Sequence, residues 1–177
     1  MLDTLITSKT RLKLILKFFL NSSASAYLRS LENEFGGSTN AIRVELIRFE
    51  KAGLLKSFYK GNKKYFQAET KHPLFHSINN LLMKNIGFDH IIEEVIEKLG
   101  DINSVFIVGD FAKGLDNKII DLIFVSEKIN QNYLTELIQK VEKLIKRKIR
   151  YLILSTKEFA DYRKENKGID PLLLWKE

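Results

Sequence analysis

The chain contains no cysteine. Disulfides, thiolate zinc sites and thiol nucleophiles are therefore outside its chemistry, as suits a cytoplasmic protein. Histidine is scarce too, at three residues, too few to make a convincing metal set. His72 and His76 are four apart, but Pro73 spoils the helical start they would share and His90 belongs to another element. Capping or surface roles explain them better, and no metal or cofactor is expected. Long apolar runs are also missing. The segment LKLILKFFL is interrupted by Lys13 and Lys17, and no small-residue cleavage site follows it. It reads as neither a membrane span nor a secretion signal. Leu12, Ile15, Leu16 and Phe19 instead recur as one face of a first helix over 8–20, with Ser8 as its cap. There is no internal repeat, no Gly-rich phosphate loop and no Ser-His-Asp order. What is present is an ordinary globular composition, 45% hydrophobic and 29% charged, in 177 residues. That length allows one or two small domains.

Charge is unevenly spread. Residues 1–72 hold 13 basic and 6 acidic side chains, whereas residues 73–177 hold 16 of each. The whole net charge of +7 thus belongs to the first segment, which points that segment toward a polyanion.

The stretch from Ser38 to Phe66 is the most informative. Ser38 is suited to cap a helix, its hydroxyl accepting from an otherwise unpaired amide. Ile42, Leu46 and Phe49 recur at helical spacing, with Val44 and Ile47 expected to broaden that apolar face. Thr39, Asn40, Arg43 and Arg48 are left for the other face. Gly53 supplies the stop. Two short strands, 54–59 and 64–68, then flank Lys60-Gly61-Asn62-Lys63, a basic hairpin tip. A helix offering amides, hydroxyls and guanidinium groups beside a basic hairpin fits a DNA groove and its phosphate walls. The spacing predicts Ser38, Thr39, Asn40, Arg43 and Arg48 on the groove side, and Lys60, Asn62, Lys63 and Lys64 on the hairpin side.

A supporting helix is expected over 24–35. His72-Pro73 marks the expected boundary, dividing the chain into 1–72 and 73–177. Beyond it the pattern predicts helices at about 74–85 and 88–99, strands at 104–109, 119–125 and 149–155, and helices at 131–148 and 157–166. Strands separated by helices imply a small α/β domain and an α+β protein as a whole. The run Lys140, Lys143, Lys146, Arg147, Lys148, Arg150 is a second basic patch that could touch DNA, but the balancing acids elsewhere in the domain favour a solvated helix end, where cations suit the helix dipole.

Within the second domain, VFIVG-DFAKGLDNK-IIDLIFV resembles the frame of the minimal nucleotidyltransferases: a strand, Gly-Ser, a loop, then Asp-x-Asp on the next strand and a third acid on a later one. Two aspartates at that spacing point to one side of a strand and hold divalent metals. The resemblance puts Gly109 at the glycine position and Asp121 at the second aspartate. Asp110 stands where the family has Ser, Ile119 where it has the first Asp, and Arg150 lies on the strand that should bring the third acid. With STNAIRVELIRFEKAGLL and GNKKYFQAETKHPLF before it, the chain is similar to bacterial ArsR-like winged-helix transcriptional regulators fused to a degenerate nucleotidyltransferase-like domain. The resemblance implies a homodimeric regulator of double-stranded DNA, without catalytic residues, whose second domain meets an unknown ligand or protein. The competing expectations are an active nucleotidyltransferase targeted by a winged helix, and a winged helix that binds protein.

Overall fold

Ser8 does start a helix, its hydroxyl accepting from the Arg11 amide at 3.2 Å. After a short α1 (Leu2–Leu5), α2 (Lys9–Ile15) runs into a π turn, Leu16–Leu20. The wider turn breaks the regular periodicity and leaves all five of its residues buried, whereas Leu14, not Leu12 or Ile15, is the buried apolar residue of α2. Lys17 is among the buried five, and its ammonium reaches Glu34 at 2.9 Å. The computed structural model describes residues 2–166 and 171–177 and divides into two units, Met1–Asn85 and Ile86–Glu177. Its mixed helices and strands make it an α+β protein, and no helix among the described residues is long and apolar enough to cross a membrane.

In the first unit, the helix expected from residue 24 begins later. Residues Ser25–Tyr27 are extended as β1, and α3 covers Leu28–Phe35. The tertiary sheet overrides the local pattern: β1 pairs antiparallel with β3 (Lys63–Ala68), so that buried Ala26 lies opposite Phe66. The Ser30 hydroxyl then fixes the start of α3, accepting from the Tyr27 amide at 3.1 Å and donating to the Tyr27 carbonyl at 2.7 Å. α4 (Thr39–Lys51) follows, and β2 (Leu55–Lys60) forms a hairpin with β3, giving the sheet order β1-β3-β2. The core joins Leu14, Phe18 and Phe19 to Leu31, Ile42, Leu46, Leu55 and Phe66.

The unit ends later than the expected boundary at 72/73. α5 (Phe75–Ile86) packs back on the π turn: Phe75 stacks on Phe19 with ring centroids 5.7 Å apart, and the Asn79 amide donates to the Phe19 carbonyl at 2.7 Å. That bond satisfies a carbonyl left over at the helix end. Pro73 breaks the chain locally without ending the packed unit.

The second unit starts with α6 (Phe88–Ile91), a π turn (Ile92–Ile96) and α7 (Glu97–Leu99). β4 (Ser104–Val108) leads into a one-turn helix, α8 (Gly109–Ala112), within what the sequence suggests is only a polar connection. β5 (Ile119–Val125), α9 (Gln131–Ile145), β6 (Lys148–Leu154) and α10 (Thr156–Glu165) follow in turn. β7 (Leu172–Lys176), which the sequence pattern does not announce, pairs antiparallel with β4. The sheet order is β6-β5-β4-β7, with β5 and β6 parallel across α9 and β4 antiparallel to β5. Strand β5 is almost entirely apolar and buried, as befits a central strand packed on both faces. On one side, Phe106, Phe159 and Tyr162 form a stacked row that seats α10, the first pair at 4.4 Å.

Candidate functional site

α4 begins as its sequence suggests, with the Ser38 hydroxyl accepting from the Ala41 amide at 3.5 Å. Ile42, Leu46 and Phe49 are buried. Val44 and Ile47 are not: they are 38% and 42% exposed. At 100° per residue they fall opposite Ile42 and beside Asn40, Arg43 and Lys51, so they belong to the outward face and not to the core. Asn40 and Arg43 are exposed and Thr39 is half-buried.

The hairpin turns tightly. Lys60 pairs with Lys63, and Gly61 takes φ +61 at the first central position, where a II′ turn requires a residue free of a Cβ. Lys60, Asn62 and Lys63 are all exposed at this tip. The Lys63 ammonium lies 4.5 Å from the centre of the Tyr27 ring, which holds it without neutralising it.

Two of the expected cations are engaged elsewhere. Arg48 reaches Glu45 at 3.0 Å, and the same carboxylate takes a two-pronged contact from Arg11, Nε to Oε2 at 2.9 Å and Nη2 to Oε1 at 3.0 Å. The Arg11 hydrogen bond, opposed by burial and helped by the charges of Arg11 and Arg48, holds Glu45 below the usual carboxylate range. Lys64 is gripped by Glu50 at 2.8 Å, and the Ser57 hydroxyl donates to the same acid. These bonds, Lys64 first and Ser57 second, hold Glu50 low as well. Arg43, Lys60 and Lys63 meet no acidic side chain among the described residues. Between α3, α4 and the hairpin lies a groove of about 610 Å³, which adds Arg29 and Leu28 to the surface. Neither stands out in the sequence, although Arg29 falls near the start of the supporting helix.

In the second unit the strand-turn-strand frame brings Gly109 against Asp121. Gly109 has φ +67, and a Cβ built on it would lie 2.5 Å from the Asp121 Oδ2 atom. Glycine is required there on both counts. Asp110, where the resemblance calls for Ser, accepts from the Asn117 amide at 2.6 Å. Asp121 lies level with Arg150 on β6 and takes both prongs of its guanidinium, Nε to Oδ1 at 2.6 Å and Nη2 to Oδ2 at 3.0 Å. This contact, with Asp110 adding a weaker pull, raises the Arg150 guanidinium further above its already high range. Ile119, two residues before Asp121, brings no oxygen to the site. A shallow cavity of about 380 Å³ opens beside the fork, lined in part by Tyr151 and Tyr162.

No three His, Cys, Asp or Glu side chains converge as a metal set among the described residues. His72 acts locally, its Nδ1 accepting from the Leu74 amide at 3.1 Å and closing the turn around Pro73.

No family model matches the chain, and no curated protein does. Among solved structures it is similar to AF1382 from Archaeoglobus fulgidus, at 12% identity and TM-score 0.38 over 46% of this chain and 93% of that one. It is also similar to a protein from Sulfolobus solfataricus described as a putative nucleotidyltransferase, at 23% identity and TM-score 0.33 over 54% of this chain and 83% of that one. Each likeness spans about half of the chain, and neither assigns it a family.

Proposed function

We propose that the first unit is a winged helix-turn-helix module that binds duplex DNA, with α4 in the major groove and the Lys60–Lys63 hairpin on phosphate. The chain then works as a transcriptional regulator of the ArsR-like kind, in the cytoplasm and as a homodimer. Leu74 and Leu81, exposed and seven residues apart, one just before α5 and one on it, are candidates for the dimer surface. One observation carries the reading. Arg43 on the outward face of α4 and both lysines of the hairpin tip are free of acidic partners among the described residues, while Arg48 and Lys64 are tied to Glu45 and Glu50. Arg43 and Asn40 suit guanine and adenine edges, and Val44 and Ile47 suit thymine methyl groups.

The second unit, in this reading, is a nucleotidyltransferase-like domain that has lost its chemistry. Transfer by the family needs metals held by several carboxylate oxygens. Here Asp121 commits both oxygens to Arg150, and Ile119 adds none. Its role is contact with a partner or ligand.

Salt titration of DNA binding tests the proposal. If each subunit neutralises about three to five phosphates, the log affinity of a dimer should fall with log salt at a slope of roughly −5 to −9. Arg43→Ala should lose about 1–3 kcal/mol on the preferred site and relax discrimination there. Lys63→Ala should weaken all sequences alike and flatten the slope. Absence of DNA binding at low salt would end the reading. Metal-dependent labelling of an acceptor by a nucleoside triphosphate, abolished in Asp121→Ala, would instead establish an active transferase.

A further inference from the structure

The second unit has its own convergence of positive charge, and it is not confined to a helix end. A groove of about 630 Å³ is lined by Lys118, Lys143, Lys146, Arg147 and Lys148, with Glu142 as its acid. Two of these cations are already matched: Lys148 reaches Glu142 at 2.8 Å and Arg147 reaches Asp116 at 2.7 Å. Burial works to raise Glu142, but Lys148 and the Ile149 amide outweigh it and keep the acid below the usual carboxylate range. Lys118, Lys143 and Lys146 meet no acid among the described residues.

Solvation of the α9 dipole accounts for Lys143 and Lys146 but not for Lys118. Lys118 immediately precedes β5, and the Lys148 amide donates to its carbonyl at 2.9 Å, pinning the two strand starts together. Lys146 is the second sign. It ends α9 with φ +55, the left-handed region that glycine or asparagine enters with least strain. A lysine there sacrifices backbone comfort and retains a charge.

We propose that this groove is a second phosphate-backbone contact, with Lys118, Lys143 and Lys146 neutralising the same duplex that the first unit reads; the inference rests on that DNA reading. Charge complementarity selects a polyanion, and covalent linkage selects this one. Once the first unit is bound, the tether holds the second at high effective concentration near DNA, so a contact too weak to act alone adds to the whole.

The experiment uses the full chain on its preferred duplex. Lys118→Gln, Lys143→Gln and Lys146→Gln together should make the salt slope shallower by about 2 to 3 per chain, since each phosphate contact contributes about 0.9. Lys146→Gly separates charge from folding: it should keep or raise the thermal midpoint while the slope becomes shallower by about 0.9 per chain. Wild-type binding with an unchanged slope in the triple variant overturns the groove and leaves the first unit's role standing. A wild-type chain that binds no DNA overturns both.

Discussion

Both units set an arginine fork on a carboxylate, and the settings differ. Arg11 holds Glu45 between α2 and α4, where the acid is only 8% exposed. Arg150 holds Asp121 between adjacent strands, where the acid is 21% exposed and the guanidinium 68%, against 39% for Arg11. The first acid is sealed in a core and needs its partner. The second acid is half-buried and its partner lies largely in solvent, so water replaces the guanidinium more readily and the contact contributes less to folding. The same pair of functional groups is therefore weighted toward stability in one unit and toward engagement of an accessible arginine in the other.

Removing each arginine should separate these roles. Arg11→Ala is expected to destabilise the first unit by about 2 kcal/mol, because a buried carboxylate loses its charged hydrogen bonds and retains only Arg48. Urea unfolding of the full chain, followed by a probe in the first unit, measures it. A change near zero would mean that Glu45 is better hydrated than its exposure implies.

Acid should reveal the same asymmetry. Glu45 and Glu50 are held below their ordinary values, so the stability they contribute is fully present above the ordinary carboxylate range. It is lost as pH falls through the depressed values, because the unfolded chain takes up protons first. Unfolding midpoints of the first unit should drop along this acid limb, and Arg11→Ala should flatten it. A limb unaltered in the variant would remove Glu45 from the explanation.

The smallest effect is expected at the other fork. Arg150→Ala should leave the unfolding midpoint of the second unit indistinguishable from wild type. It frees Asp121 without supplying the missing oxygens at Ile119, so nucleotidyl transfer with Mg²⁺ should remain undetectable. Transfer appearing in this variant would show that Arg150 alone was the block.

Legibility in the sequence varies by element. The cap at Ser38, the buried Ile42, Leu46 and Phe49, and the hairpin at Gly61 all depend on neighbours in sequence, and local pattern reaches them. Val44 and Ile47 are legible too, but only if the helical period is followed strictly, which takes them out of the core and places them outside. β1 is beyond local reading, since three residues become a strand only when β3 is there to pair with them. The π turn removes the periodicity on which the first helix is recognised. β7 leaves a faint trace, the run LLLWK after Pro171, too short to stand out alone. At the site, residue types identify Arg48 and Lys64 as cations but not their engagement, because Lys64 meets Glu50 only in the folded unit and the Glu45 that holds Arg48 is fixed by Arg11 from another helix. Asp121 and Arg150 each stand out in the sequence, while their bond requires the register of β5 on β6.

The hairpin tip carries a cost of its own. Lys60 and Lys63 face each other across the two strands, in a unit where residues 1–85 hold 14 basic against 6 acidic side chains. Like charges directly opposed weaken strand pairing, and a strongly positive unit repels itself. Added salt screens both effects over a Debye length of about 8 Å at physiological strength. It should therefore relieve this repulsion at the hairpin tip of the free module, while it would loosen the proposed grip on DNA. In the proposed DNA-binding reading the two responses would have opposite signs, because mobile ions would compete with the partner's phosphates to relieve the same repulsion.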